Sequence, residues 1–214
     1  MNDYQREQLD ALEAVRLGLT QLGDAGRQQL IDATSDYIRF RRSVDAYLNR
    51  YFKGVCTRTC YRSRTSACCS KDGIITFFAD TVVNALFASE DALTRMQTLL
   101  GRPNHGHRCV YLADDGCLWT MRPVVCAMFL CDRAMQAVFA AVPEAETEWE
   151  DLRSEEKSFK WPDRPVLFDH IENVFLNLGF RSTLMHLNFS PGLLRVKKLA
   201  GLDEKGVVGT SSPR

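Results

Sequence analysis

The stretch "CVYLADDGCLWTMRPVVCAMFLC", residues 109–131, places four cysteines on a segment whose pattern changes halfway. β-forming residues stand on both sides of Asp115–Gly116, so the first half predicts a hairpin with those two residues as its turn. Cys117 then pairs opposite Asp114. Cys109 lies five residues up the first strand on the other face, about 16 Å away at about 3.3 Å per residue. Pro123 stands where a helix can begin, and "VVCAMFLCDRAMQAVFAAV" carries that helix on to Pro143. Cys126 and Cys131 are five residues apart on it, and at about 3.6 residues per turn they point well apart, unless the helix starts after Cys126. This geometry predicts that the thiols form two groups and do not converge on one point. Cys68 and Cys69 would be divided between the groups, or one of the pair left out.

Working outward, the chain of 214 residues has eight cysteines, all between positions 56 and 131. The upstream set is "CTRTCYRSRTSACC", residues 56–69, with Cys56, Cys60, Cys68 and Cys69. The start, MNDYQREQLDALEAVRLG, lacks a basic-then-apolar leader pattern, and no apolar run is long enough for a bilayer. The expected compartment is therefore the cytoplasm, where thiols stay reduced. A chain of this length can build its own core without disulfide staples. Four thiols in a polar, Arg-containing loop do not behave as buried small hydrophobes either. Clustered thiolates in a reducing compartment point to zinc or an iron–sulfur cluster.

The order of spacing is C-x3-C-x7-CC, 39 residues, then C-x7-C-x8-C-x4-C. No C-x2-C knuckle of the common zinc type is present, and the C-x2-C-x2-C ferredoxin run is absent too. Irregular spacing suits a cluster, in which each iron takes one cysteine. Adjacent Cys68 and Cys69 diverge, so they serve two metals or two irons more readily than one ion. Lys53, Arg58, Arg62, Arg64 and Lys71 surround the first four thiols. Cationic neighbours of this kind lower thiol pKa and offset thiolate charge.

Cys117, Leu118, Trp119, Arg122, Pro123, Cys126, Phe129 and Cys131 fall in the order of a known signature. Together with the Cys68–Cys69 pair and the isolated Cys109, they resemble the YkgJ-type cysteine-cluster family, a zinc- or iron-chelating domain. The resemblance covers about residues 56–131. It implies a metal or iron–sulfur domain; the clustering puts all eight cysteines in the expected ligand set. This chain has C-x3-C-x7-CC where the family commonly has C-x2-C-x2-CC, so Cys56 and Cys60 depart from the pattern. Some relatives resemble flagellin lysine methyltransferases, which adds an enzyme alternative.

The flanks are helical in pattern. Leu9, Leu12, Val15, Leu19 and Leu22 form one stripe, and Leu30, Ala33, Tyr37, Phe40, Val44, Tyr47 and Tyr51 form a second. With a turn at residues 24–26, residues 1–52 read as an antiparallel helical hairpin. The cysteine-cluster region spans 53–142, with 53–73 an irregular loop. "IITFFADTVVNALFA" is an apolar segment, and "EDALTRMQTLL" is a helix between a Ser89 N-cap and a Gly101 C-cap. Residues 143–202 hold the C-terminal helices. These are an acidic one over 144–161, an amphipathic one marked by Val166, Ile171 and Phe175, and a short one opened by Ser190–Pro191. Residues 203–214 read as a disordered tail. The expected fold is mainly α, a helical domain with one small β-hairpin and a Cys-rich metal-binding loop.

The function these residues predict is a metal-binding protein, redox or regulatory in use, with iron–sulfur favoured over zinc. The alternatives are a structural zinc module docking a protein partner and a cluster-dependent protein lysine methyltransferase. Arg122 is expected to donate hydrogen bonds to thiolate or sulfide from outside the ligand set, or else to pair with Asp114 or Asp115. His105 and His107 read as solvated loop residues, and His170 and His186 as structural ones. The 27 basic and 27 acidic side chains balance, which argues against a nucleic-acid partner. No Gly-rich phosphate loop, nucleophile elbow or H-E-x-x-H is present.

Overall fold

The computed structural model describes residues 1, 3–58, 75–104, 109–113, 116–160 and 166–185. The expectations for the rest of the Cys-rich loop, for the short helix after Ser190 and for the tail lie outside them. Helix α1 is Asp3–Ala33 and α2 is Ser35–Tyr47; a π-helical turn Leu48–Phe52 leads into α3, Lys53–Cys56. Helices α4 and α5 follow at Phe78–Phe87 and Glu90–Leu100. Strands β1, Leu112–Ala113, and β2, Gly116–Cys117, form a two-stranded antiparallel hairpin. The remaining helices are α6 (Val124–Ala127), α7 (Asp132–Phe139), α8 (Glu144–Lys160) and α9 (Leu167–Asn177). The fold is thus mainly helical with one small hairpin, as the patterning predicts.

The expected turn at 24–26 is helical, and the break in α1 is a kink one residue before it. Gly23 takes φ 65°, ψ −173° and kinks α1 there, a backbone state that costs glycine little. The second stripe is not one helix either. Thr34 interrupts it, and the chain then widens into the π turn. Within α1, Gln5, Gln8, Ala11, Leu12, Val15, Gly18 and Leu19 are buried, and this face packs on α4, α5 and α9. Gly18 allows the contact with α9: a Cβ there would lie 2.7 Å from Phe175 Cδ1. Ser89 and Gly101 bound α5 as expected, with the Ser89 hydroxyl accepting from the Ala92 N–H at 3.2 Å.

Helix α9 ends in a Schellman motif. The Phe180 N–H reaches Phe175 O and the Gly179 N–H reaches Leu176 O, both at 3.0 Å, with Gly179 at φ 89°. The Phe175 and Phe180 rings lie 6.2 Å apart, the apolar contact that accompanies this cap. Aromatic rings fill the centre. Tyr37 meets Phe159 and Phe168 edge-on at 5.2 and 5.5 Å, and Tyr47 stacks on Trp149 at 5.3 Å. The Tyr47 hydroxyl also donates to Ala145 O at 2.7 Å, tying α2 to α8.

Two local expectations are overturned in the segment that matters most. The strands pair Leu112 with Cys117 and Ala113 with Gly116. Residues 114–115 therefore connect them, one position earlier than Asp115–Gly116. Gly116 uses its freedom at φ 127° as the first residue of the return strand. Cys117 stands opposite Leu112, not Asp114. Cys109 is not on an extended strand either, because the Leu112 N–H bonds back to Cys109 O at 3.1 Å and closes a turn. The 16 Å separation loses its basis. The continuous helix from Pro123 to Pro143 is also broken, between α6 and α7. Cys126 lies in α6, whereas Cys131 is the extended N-cap residue of α7 (φ −78°, ψ 150°). The argument that the two must diverge on one helix fails with it.

Candidate metal centre

Two similar triplets carry two of the cysteines, the first in a turn and the second at the end of β2. Cys109-Val110-Tyr111 and Cys117-Leu118-Trp119 are both Cys-aliphatic-aromatic. The Tyr111 N–H points at Cys109 Sγ, with N···S 3.4 Å. The Trp119 backbone N–H plays the same part for Cys117, where it favours the thiolate. The aromatic residues of the two triplets pack edge-to-face at 4.9 Å, and Leu118 N–H donates to Tyr111 O at 3.0 Å. A backbone N–H aimed at sulfur stabilises the ionised, metal-binding form and tunes the group it binds.

Burial raises the Cys117 thiol above its ordinary pKa; the Trp119 N–H and the Arg122 charge pull the other way. The residue as a whole is exposed, whereas Cys109 is buried and Cys56, Cys126 and Cys131 are half-buried. Two phenols register where Cys109 and Cys126 lie. Burial pushes Tyr4 and Tyr111 well above the usual phenol range, and the charges of both Cys109 and Cys126 add to the rise in each. Both phenols thus lie within electrostatic reach of the two thiols. Beneath them, Gln8 Oε1 accepts from the Tyr111 hydroxyl at 2.6 Å and from the Thr76 hydroxyl at 2.5 Å. Its amide nitrogen is buried without a hydrogen-bond partner among the described residues.

The link between Cys117 and Cys126 is held by side chains from two helices. On α4, Asn84 Oδ1 accepts from the Met121 N–H at 2.9 Å, and Asp80 Oδ1 accepts from the Val124 N–H at 3.0 Å. The other oxygen, Asp80 Oδ2, takes the Phe77 N–H at 3.1 Å. On α2, Arg41 Nη1 donates to Arg122 O at 2.7 Å and to the Tyr37 hydroxyl at 3.0 Å. Asp80, Asn84 and Arg41 are all buried. Burial pushes the Asp80 carboxyl up to about 6, against the Val124 and Phe77 N–H groups and the charges of Arg41 and Lys160.

The Arg122 guanidinium reaches Asp45 Oδ1 at 3.4 Å, both side chains being partly exposed. Its other suggested partners, Asp114 and Asp115, lie outside the described residues. Cys60, Cys68, Cys69, His105, His107 and His186 also lie outside them, and His170 is on α9. Cys56 ends α3 and, like Cys131, packs against the core. Among the described residues, no group of three or more His, Cys, Asp or Glu side chains is placed to hold a metal ion.

Asp80, Asn84, Arg41, Gln8 and the two phenols were not singled out by sequence reasoning. The signal for Asp80 and Asn84 was a pair of polar residues four apart in the otherwise apolar "FFADTVVNALF". For the thiols it was the repeated Cys-aliphatic-aromatic triplet. No family model, no curated protein and no solved structure matches this chain.

Proposed function

We propose that this is a cytoplasmic metal-binding protein of the YkgJ type, holding an iron–sulfur cluster or zinc through clustered cysteines for redox or regulatory use. What supports the reading is the clustering of eight cysteines within residues 56–131, with the Tyr111 backbone N–H on the Cys109 sulfur. A donor set of soft thiolates with hydrogen bonds to sulfur fits such a group. Cys60, Cys68 and Cys69 of the Cys-rich loop belong to the proposed ligand set with Cys109 and Cys126. When bound, a cluster would supply one-electron chemistry at these thiolates, and zinc would supply a cross-link. Cys117, Cys131 and Cys56 complete the proposed ligand set, with Arg122 holding the Cys117 thiol toward its ionised form. No described helix is long and apolar enough to cross a membrane.

Anaerobic purification with metal and acid-labile sulfide analysis tests this. Iron with matching sulfide supports the cluster, and zinc alone supports the structural module. A chain carrying neither, and taking up neither on anaerobic reconstitution, refutes the reading.

A further inference from the structure

We infer that Asp80, Asn84 and Arg41 are positioning residues for the proposed centre, fixing the backbone of residues 121–124 so that the turn bearing Cys126 is held before any metal arrives. The inference rests on the metal-binding reading above for what the turn is for, but not for how it is held.

The backbone accounting is specific. Residues 121–124 belong to no strand, and Val124 is the first residue of α6, whose own N–H groups lack intrahelical partners. Met121 N–H and Val124 N–H are both taken by buried oxygens of α4 side chains one helical turn apart. Arg122 O is taken by a buried guanidinium from α2. Pro123 has no N–H to satisfy, and it sits between the two N–H groups that α4 takes. The three side chains thus grip both ends and the middle of a tetrapeptide. Cys126 follows two residues after the Asp80 contact, on the same short turn, and Cys117 precedes the Asn84 contact by four.

The charges are arranged for holding the chain and not for capping one helix alone. One Asp80 oxygen closes the start of α4 through Phe77, and the other closes the start of α6 through Val124. Rotating α6, and with it Cys126, breaks the second bond while leaving the first. Arg41 is anchored by Tyr37 on its own helix, so the guanidinium that meets Arg122 O is not free to follow a displaced chain.

The test uses metal-free full-length chain and iodoacetamide, with alkylation of Cys126 and Cys56 followed separately by mass spectrometry, then Co(II) reconstitution. Asp80→Ala should speed Cys126 alkylation about tenfold, the order expected for a lost buried hydrogen bond to a charged group. Cys56 should keep its rate. Asp80→Asn, which retains one acceptor oxygen, should fall between parent and Asp80→Ala. The thiolate-to-cobalt charge-transfer band should weaken in the same order. Unchanged Cys126 rates in Asp80→Ala overturn the inference while leaving the metal reading intact. Cys56 and Cys126 accelerating together also overturn it, since that marks general loss of stability. Should Asp80→Ala fail to fold, Asp80→Asn and Asn84→Leu carry the same comparison. A parent chain that takes no Co(II) counts against the metal reading, and the metal-free alkylation order still decides the clamp.

Discussion

Asp80 should make the protein's stability fall as pH rises from about 4 to about 7, the reverse of what most paired carboxylates do. Its carboxyl is pushed from 3.8 up to about 6, burial outweighing the two N–H groups and the Arg41 and Lys160 charges. The folded chain therefore binds this proton more tightly than the unfolded chain. That contribution is fully present below the unfolded value and is lost as pH rises through the folded one. At about 1.4 kcal/mol for each tenfold in proton affinity, the rise is worth about 3 kcal/mol. Asp80→Asn supplies the control, since its amide does not titrate. It loses one N–H acceptor, and that cost does not vary with pH. Urea unfolding of parent and variant at several pH values between 4 and 7.5 gives two stability profiles. Their difference, parent minus variant, should shrink by up to about 3 kcal/mol as pH rises across that range. Exposed carboxylates cancel in the difference. A difference that stays flat would show that Asp80 is not desolvated as its burial requires. One that grows with pH would show that the N–H groups and cations outweigh desolvation.

Gly18→Ala should destabilise by about 1–3 kcal/mol through overpacking against Phe175, set against about 1 kcal/mol of helix propensity gained; adding Phe175→Leu should recover part of the loss in thermal unfolding. Arg122→Ala should move the pH midpoint of Cys117 alkylation upward, since the guanidinium lowers that thiol's pKa. Its stability should change by less than about 1 kcal/mol, because the pair with Asp45 is partly exposed. Tyr111→Phe removes the hydroxyl that donates to Gln8 and should cost about 1–2 kcal/mol by urea unfolding; an unchanged midpoint would mean that Gln8 Oε1 is satisfied elsewhere. Chelation of the reconstituted protein should speed amide exchange through the Cys-rich loop while α1 and α2 keep their protection, and uniform protection with and without metal would contradict it.

What was legible in the sequence was whatever repeats with a period. The stripes from Leu9 to Leu22 and from Leu30 to Tyr51 place buried residues such as Leu12, Val15, Phe40 and Val44 where the core is. Ser89 and Gly101 bound α5 because caps depend on local chemistry. The breaks were less legible. Val124, Ala127, Ala134 and Val138 are all buried and, with Cys131 between them, follow helical spacing straight across the gap between α6 and α7. No proline or glycine announces that gap. The Asp-Gly dipeptide likewise marked a turn correctly but not its register, because Gly116 serves equally well as the first residue of a strand. Around the thiols, the missing information was long-range. Asp80 lies 44 residues from Val124, and Arg41 lies 81 from Arg122. Nothing local to "MRPVV" says which distant side chains will take its N–H and C=O groups.

The same contacts separate two kinds of order in the cysteine-bearing segments. A segment with little apolar content of its own needs ligation to become ordered, and that argument applies to the polar run after Cys56. It does not extend to residues 109–131. Val110, Tyr111, Trp119, Val124 and Ala127 are buried there, and Met121 and Val124 satisfy their N–H groups on α4. Cys109 is held by its own turn and by burial, and Cys126 by a helix start that Asp80 closes. These thiols are placed by the core, so in the proposed centre they are ligands whose backbone is held without metal. Loosening that held backbone, through Asp80 or Asn84, should then weaken binding at the proposed centre even if every cysteine is kept.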